Sequence, residues 1–185
     1  MKNHWNKVYK AGRKFTPVSE IVLDNLQLTG KTALDIGCGT GILARQLDKR
    51  GFKVTGIDLS DFGISQAKNL DPEHKITYIA GDFMEMDTEH KYDIVVVNKV
   101  LAFNDPRAFL SRVRDVLVDG GLLILITPVM RSKYSDKYNE HLRSISVNYD
   151  EVVKLVSELF GGMAEQESQY FGDYGEELTI VATKK

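Results

Sequence analysis

The sequence has a single cysteine, so it can form neither an internal disulfide nor a metal site made only of cysteines. Its longest unbroken apolar run, residues 122–126, is far shorter than the roughly 20 residues that a membrane-spanning helix needs. A net charge of −2 gives no argument for a surface that binds a nucleic acid or a membrane. We therefore expect no metal, no nucleic-acid partner and no membrane partner.

The polar stretch at residues 1–10 does not have the pattern of a signal peptide, and the sequence contains no repeat and no low-complexity segment. With 185 residues the chain is long enough for one sizeable core. These features predict a cytoplasmic protein that consists of one domain and is a monomer or a homodimer.

The most informative stretch is residues 33–41, which read A-L-D-I-G-C-G-T-G. A short apolar run of this kind before glycines is typical of a buried strand. Three glycines at alternate positions let the backbone turn tightly and pass close to a ligand. Ile42, Leu43 and Leu47 then follow at helical spacing. A strand, a glycine turn and a helix in this order form the place where open α/β sheets bind nucleotides.

The type of nucleotide is indicated by the glycine spacing and by Asp35. A dinucleotide fingerprint has the spacing G-x-G-x-x-G, whereas here the third glycine comes one residue early. A carboxylate at Asp35 would repel a pyrophosphate but could accept hydrogen bonds from an ammonium group. The loop therefore favours a nucleoside with a zwitterionic tail.

The nine-residue string resembles the first motif of the class I S-adenosylmethionine-dependent methyltransferases, and the string L-V-D-G-G-L-L-I-L at 117–125 resembles a later segment of that family. The resemblance implies a Rossmann-like, doubly wound α/β fold. Its seven-stranded sheet would be mostly parallel, with an antiparallel C-terminal strand and helices on both faces. It also implies S-adenosyl-L-methionine as cofactor and S-adenosyl-L-homocysteine as product.

Asp58 follows a predicted strand at 52–57 and lies about 20 residues beyond the glycine loop, the spacing of a carboxylate that binds a ribose hydroxyl. The alternative is that Asp58 caps the next helix, although Ser60 can serve that role. We predict that Leu59 lies against adenine and that Asp35 orients the ammonium group.

Further cofactor contacts rest on the resemblance. Asp82 and Phe83 follow a predicted strand at 75–80 and would bind adenine, and Asn98 follows a strand at 91–97 and would lie under the methionine part. Cys38 could be a nucleophile but is better explained as a small spacer. The predicted cofactor-binding residues are Asp35, Gly37, Cys38, Gly39, Gly41, Asp58, Leu59, Asp82, Phe83 and Asn98.

Two segments are expected to approach a small-molecule substrate. Resemblance to small methyltransferases suggests an N-terminal arm over the cofactor, with candidates Trp5, Tyr9 and Arg13. The polar segment after the fifth strand contributes the candidates Tyr134, Tyr138 and His141. Each set has a simpler explanation, since the aromatic residues could anchor the arm to the core and His141 could be a solvated surface residue. Arg131, Lys133 and Arg143 could bind an anionic substrate or be ordinary surface charge.

The expected organisation is an arm at 1–29, a cofactor-binding core at 30–127, a substrate-covering insertion at 128–148, and a C-terminal helix and hairpin at 149–185. The predicted function is direct in-line methyl transfer to a small-molecule acceptor, with no catalytic residue assigned. One alternative is an NAD(P)-dependent oxidoreductase, which the glycine spacing and Asp35 oppose. Another is a non-catalytic, cofactor-binding partner subunit.

Overall fold

The computed structural model describes residues 1–12, 23, 26, 28–87, 89–131, 140–161, 165–171 and 175–185. The predicted site residues Arg13, Tyr134 and Tyr138 lie outside the described residues, as does the side chain of His141. The chain divides into two compact units, Met1–Asp87 and Thr88–Lys185.

The first unit contains a parallel three-stranded arrangement in the order β3-β2-β1. Its helices and strands are, in chain order, α1 (Lys2–Lys10), β1 (Thr32–Ile36), α2 (Ile42–Lys49), β2 (Lys53–Asp58), α3 (Asp61–Asn69) and β3 (Thr77–Ala80). A short 3-10 helix, Phe83–Glu85, follows β3. This order of strands and helices brings the ends of β1, β2 and β3 to one edge, because parallel strands end on the same side of a sheet.

The second unit is built on strands in the order β4-β5-β8-β7. Its helices and strands are β4 (Tyr92–Asn98), α4 (Pro106–Val116), β5 (Leu117–Met130), α5 (Glu140–Ile145), β6 (Val147–Asn148), α6 (Tyr149–Phe160), β7 (Glu165–Phe171) and β8 (Gly175–Thr183). A 3-10 helix, Leu101–Phe103, follows β4. β4 and the two-residue β6 pair with β5 in parallel, whereas β8 pairs with β5 and β7 in antiparallel orientation.

Local sequence signals explain where these helices begin. Asp105 accepts a hydrogen bond from the Ala108 amide and Pro106 occupies the first turn, as the sequence predicts for the start of α4. Asn148 accepts a hydrogen bond from the Glu151 amide at 3.0 Å and is the N-cap of α6.

The glycine pair Gly120–Gly121 differs from its predicted role. The sequence predicts a turn that leads into a strand at 122–127, but β5 already begins at Leu117. Gly120 has φ +78°, and the pairing of β4 with β5 is irregular between Tyr92 and Ile94. The glycines therefore lie in a bulge of β5 that interrupts the pairing with β4, because Tyr92 pairs with Leu117 and the next pair is Ile94 with Leu122.

The predicted fold class is confirmed. The centre of β4 is continuously apolar and fully buried, as expected for a strand covered on both faces. β8 is the antiparallel C-terminal strand that the resemblance implied. Among the helices of the described residues, none combines the length and apolar character needed to span a bilayer.

Phe160 at the end of α6 is completely buried, and this predicts a large loss of stability on truncation. We expect Phe160→Ala to lower the free energy of unfolding by about 3–5 kcal/mol, because the cavity adds to the lost transfer free energy. The measurement is equilibrium unfolding in urea. Leu70→Ala is the control, since Leu70 is 53% exposed and its truncation should change stability by less than about 0.5 kcal/mol.

Candidate functional site

The glycine loop between β1 and α2 is held against the end of β2 by its backbone. The amides of Gly37 and Cys38 both donate to the Ile57 carbonyl oxygen, at 2.8 and 3.1 Å. The amide of Gly41 then donates to the Cys38 carbonyl oxygen at 2.8 Å, just before α2 begins. The loop is therefore a closed turn fixed to the neighbouring strand.

Two glycines of this loop leave no room for a side chain. Gly39 has φ +53° and Gly41 has φ +74°, in the left-handed region that other residues rarely adopt. A Cβ at position 39 would overlap the hydroxyl of Tyr9, and one at position 41 would overlap the hydroxyl of Tyr78. Both backbone conformation and neighbouring side chains therefore require glycine here.

Asp58 ties the glycine loop to the start of α3. One carboxylate oxygen accepts a hydrogen bond from the Gly39 amide at 2.9 Å, and the other accepts one from the Ser60 amide at 2.7 Å. The Ser60 hydroxyl accepts from the Gly63 amide at 3.0 Å and is the N-cap of α3. The alternative in which Asp58 is the helix cap is therefore wrong.

Asp35 is buried deeply in β1, at 1% exposure. Its Oδ2 has no hydrogen-bond partner among the described residues. Burial, and then the charge of Asp58, raise the pKa of Asp35 to about 7, although a hydrogen bond from the Ala44 amide acts in the opposite direction. Burial also raises the pKa of Asp58, against the stabilising amides of Ser60 and Gly39. Two buried carboxyl groups thus lie at this loop, and a cationic ligand would stabilise their charged form.

Cys38 lies in the same loop and is 8% exposed. Burial raises the pKa of its thiol, and the nearby charges of Asp35 and Asp58 raise it further. A thiol with a raised pKa stays protonated at neutral pH and is a poor nucleophile. This supports the interpretation of Cys38 as a small spacer.

The predicted N-terminal helix is present as α1 and lies against α3 and the glycine loop. Burial is the main cause of a raised pKa of Tyr9, followed by the charges of Asp58, Cys38 and Asp35. The Tyr9 ring also approaches Gly63 of α3. The ring centroid of Trp5 lies 6.4 Å from that of Tyr9. The two aromatic residues are thus part of an arm that touches the predicted cofactor loop.

Asp82 and Phe83 follow β3. The end of β3 lies next to the end of β2, because the Gly81 amide donates a hydrogen bond to the Asp58 carbonyl oxygen at 2.9 Å. The Asp82 carboxylate accepts a hydrogen bond from the Met84 amide at 2.9 Å, and Phe83 is buried. Leu59 follows β2 directly. The structure therefore collects these predicted residues at the strand ends of the first unit.

Asn98, the remaining predicted cofactor residue, belongs to the second unit and ends β4. Its Oδ1 is buried and has no hydrogen-bond partner among the residues that the structure describes. The next residue, Lys99, has φ +59°, and its ammonium group pairs with Glu177 at 2.7 Å. An unpartnered acceptor next to a strained backbone is a common feature of functional sites.

Arg131 also lies in the second unit, after β5, and its charge is already paired. Its Nε and Nη2 donate to the two carboxylate oxygens of Glu176 at 2.8 and 2.7 Å. Its guanidinium carbon lies 3.7 Å from the ring centroid of Tyr149. Because Glu176 is 2% exposed, this arginine neutralises a buried carboxylate and is not ordinary surface charge.

Two residues that shape this site, Asn6 and Tyr78, carry no signal in the sequence. Asn6 accepts hydrogen bonds from Ser60 and Phe62 at the start of α3. Nothing in the local pattern of α1 distinguishes it from a solvated polar residue. Tyr78 in β3 packs over Gly41, a contact that depends on tertiary structure alone. Within the described part of the chain, no three His, Cys, Asp or Glu residues are grouped as metal ligands.

Comparison with known proteins agrees with this geometry. The family profile described as a methyltransferase domain matches residues 34–125, which include the glycine loop and Asp58. Residues 34–125 of the chain are thus similar to methyltransferase domains.

Among similar curated proteins of the methyltransferase family, a ubiquinone biosynthesis O-methyltransferase from Bradyrhizobium sp. (strain ORS 278) is 38% identical over 103 residues. The match covers 54% of this chain and 41% of that protein, so the chain spans less than half of its length.

Solved structures show the same fold at low sequence identity. A Burkholderia thailandensis 1,6-didemethyltoxoflavin-N1-methyltransferase, bound to 1,6-didemethyltoxoflavin and S-adenosylhomocysteine, matches with a TM-score of 0.77 and 18% identity. That match covers 100% of this chain and 87% of the other. A Streptomyces coelicolor A3(2) geranyl diphosphate C-methyltransferase, in complex with Mg2+, geranyl diphosphate and S-adenosyl-L-homocysteine, matches with a TM-score of 0.76 and 16% identity over 90% of this chain and 77% of that chain.

Because Tyr78 lies close to Gly41, we expect a side chain at position 41 to lower stability by more than backbone strain alone. Gly41→Ala should lose about 1–2 kcal/mol from the left-handed backbone and more from displacing the Tyr78 ring. Gly51→Ala is a matched control, because Gly51 has φ +90° but no atom within 4 Å of where a Cβ would lie. Urea unfolding should show the larger loss for Gly41→Ala, and equal losses would contradict the contact.

The raised pKa of Asp35 predicts a pH dependence of stability. Between pH 4 and about 7 the folded protein retains a proton on Asp35 that the unfolded chain has released, so stability should fall as the pH rises through this window. The contribution of one group is at most about 1.4 kcal/mol per pH unit. Urea unfolding of the wild type and of Asp35→Asn between pH 4 and about 7 measures this contribution of Asp35 to the pH dependence.

The comparison between Asp35→Asn and the wild type uses the slope of the free energy of unfolding against pH. The absolute stability is less informative, since the variant can be less stable at every pH. Its stability should fall less steeply with pH than that of the wild type. Asp119→Asn serves as the control, because the Asp119 side chain is 90% exposed and should leave the slope unchanged. An unchanged slope in Asp35→Asn would show that Asp35 titrates normally.

Proposed function

We propose that this chain transfers a methyl group from S-adenosylmethionine to a small-molecule acceptor. The observation that supports this most directly is the buried Oδ2 of Asp35, which lacks a partner among the described residues and lies in the strand that leads into the glycine loop. A buried carboxyl group with an unused acceptor fits a ligand that brings a positive charge or hydrogen-bond donors.

The same residues are a poor fit for a pyrophosphate. The N-terminus of α2 would attract a phosphate, but burial in this pocket already opposes the charges of Asp35 and Asp58. A ligand that brings further negative charge would raise the free energy of the charged carboxyl groups again. This supports a sulfonium nucleoside over a nicotinamide dinucleotide and argues against the alternative of an oxidoreductase.

Each predicted cofactor-binding segment has a proposed role. The glycine loop would accommodate the amino-acid tail, Asp35 would orient the ammonium group, and Asp58 would accept hydrogen bonds from the ribose hydroxyls. Asp58 can do so because a carboxylate has about four acceptor sites and the amides of Gly39 and Ser60 occupy two of them. Leu59, Asp82, Phe83 and Asn98 are proposed to complete the adenine and methionine contacts.

When bound, S-adenosylmethionine supplies an activated methyl group on a positively charged sulfur. The chain then has to hold the acceptor atom in line with that group and exclude water. We propose that the arm, which lies against the glycine loop, helps to exclude water. Trp5 and Tyr9 remain proposed substrate-side residues on this arm.

The acceptor class is supported by the known proteins that this chain resembles. The names of the relative and the two solved structures describe methylation of small molecules, on oxygen, nitrogen or carbon. A non-catalytic subunit that only binds cofactor is the second candidate. A wild-type protein that binds S-adenosylhomocysteine but methylates no compound of a broad acceptor panel would favour that candidate.

Calorimetry with S-adenosylhomocysteine and NADH tests the proposal. We expect saturable binding of S-adenosylhomocysteine and none of NADH. Asp58→Ala should weaken S-adenosylhomocysteine binding at least about tenfold, which corresponds to about 1.4 kcal/mol, because the ribose hydroxyls lose their acceptor.

Asp61→Ala is the matched control for Asp58→Ala. Asp61 lies three residues further on, and its side chain is 55% exposed and paired with Lys2. Exposed ion pairs contribute little to stability. The affinity of Asp61→Ala for S-adenosylhomocysteine should therefore remain within about twofold of the wild type. Saturable NADH binding would exclude the proposed cofactor, and unchanged affinity in Asp58→Ala would remove the role of that residue.

A further inference from the structure

Asn6 on the N-terminal helix acts on the first turn of a different helix, α3. Its Oδ1 accepts hydrogen bonds from the Ser60 hydroxyl at 2.6 Å and from the Phe62 amide at 3.1 Å. Because a backbone N–H can only donate, the Asn6 atom that faces Phe62 has to be the carbonyl oxygen. The Phe62 amide is one of the first-turn amides that have no acceptor within their own helix. Asn6 therefore caps α3 from outside.

Ser60 connects this cap to the predicted ribose-binding carboxylate. Its hydroxyl donates to Asn6 and accepts from the Gly63 amide, which fixes the position of the residue. The Ser60 amide then donates to Asp58, whose second oxygen accepts from the Gly39 amide. A continuous series of hydrogen bonds thus runs from the arm through α3 to Asp58 and the glycine loop.

The arm makes further contacts in the same region, among them one from Lys10, whose ammonium nitrogen lies 5.9 Å from the ring centroid of Phe62. Tyr9 lies against Gly39 of the loop and Gly63 of α3, one helical turn along α1 from Asn6. Lys2 pairs with Asp61 at 2.8 Å, but both side chains are more than half exposed. The half-buried side chains of Asn6 and Tyr9 therefore form the less exposed part of the docking interface, and the ion pair of Lys2 forms a more exposed part.

We propose that Asn6 is a positioning residue that couples docking of the N-terminal arm to cofactor binding. When α1 is docked, Asn6 fixes Ser60, and Ser60 holds the Asp58 carboxylate towards the ribose position. The inference rests on the proposed cofactor role of Asp58. Because coupling between two equilibria is reciprocal, the bound cofactor stabilises the docked arm to the same extent that the docked arm strengthens cofactor binding.

The first test replaces Asn6 in the full chain and measures S-adenosylhomocysteine binding by calorimetry. Asn6→Ala removes the acceptor and should weaken binding by about fivefold or more, the low end of measured coupling factors. Asn6→Asp keeps an oxygen that accepts from Ser60 and Phe62, and its negative charge is favourable at a helix N-terminus. We expect this variant to bind within about twofold of the wild type.

The second readout is the fluorescence of Trp5, the only tryptophan of the sequence, which lies next to Asn6 on α1. In the wild type and in Asn6→Asp, S-adenosylhomocysteine should change its emission as the arm becomes fixed. Asn6→Ala should show a smaller change at saturating ligand. Lys2→Met is the control for loss of an exposed arm contact and should retain both affinity and emission change.

The third readout needs no variant. Hydrogen exchange of residues 2–10 in the wild type should slow when S-adenosylhomocysteine is bound. If Asn6→Ala binds as tightly as the wild type, or more tightly, the coupling is wrong, and an unaffected exchange rate of residues 2–10 would also overturn it. Absence of binding in the wild type would instead contradict the proposed function, so the two failures can be told apart.

Discussion

The carboxylate of Asp58 is the group on which the geometry of the first unit depends. It accepts one amide from the glycine loop and one from the start of α3, so a single side chain sets the distance between two backbone segments that are far apart in sequence. Each of these hydrogen bonds favours the charged form of Asp58 and lowers its pKa, against the effect of burial. The loop conformation, the helix start and the direction of the carboxylate are therefore fixed together.

Burial gives these carboxyl groups their chemical character. Asp35 and Asp58 are buried, which disfavours their charged form, and the amides around Asp58 only partly compensate. A buried charge lowers the stability of the protein, and a cation bound next to it would offset that loss. Selectivity for a positively charged nucleoside can therefore arise from the protein interior, without a specific catalytic residue.

Much of the fold could be predicted from the sequence, because short apolar strands, glycine turns and helix caps are local signals. The order of helices and strands and the capping role of Ser60 follow from such signals. The bulge at Gly120 could not be predicted, since a glycine pair has the same appearance in a turn and in a bulge. The contacts of Asn6 and Tyr78 were also inaccessible, because they are made by residues that are distant in sequence and carry no periodic pattern.

The arginine that follows β5 has a consequence for how the protein responds to ionic strength. The exposed pairs Lys2–Asp61 and Arg107–Glu158 are open to counterions, and concentrated salt should dissociate them. Arg131 and Glu176 are screened much less, because the carboxylate is buried and the guanidinium is stacked on Tyr149. The pair of Arg131 and Glu176 should therefore persist at salt concentrations that dissociate the exposed pairs.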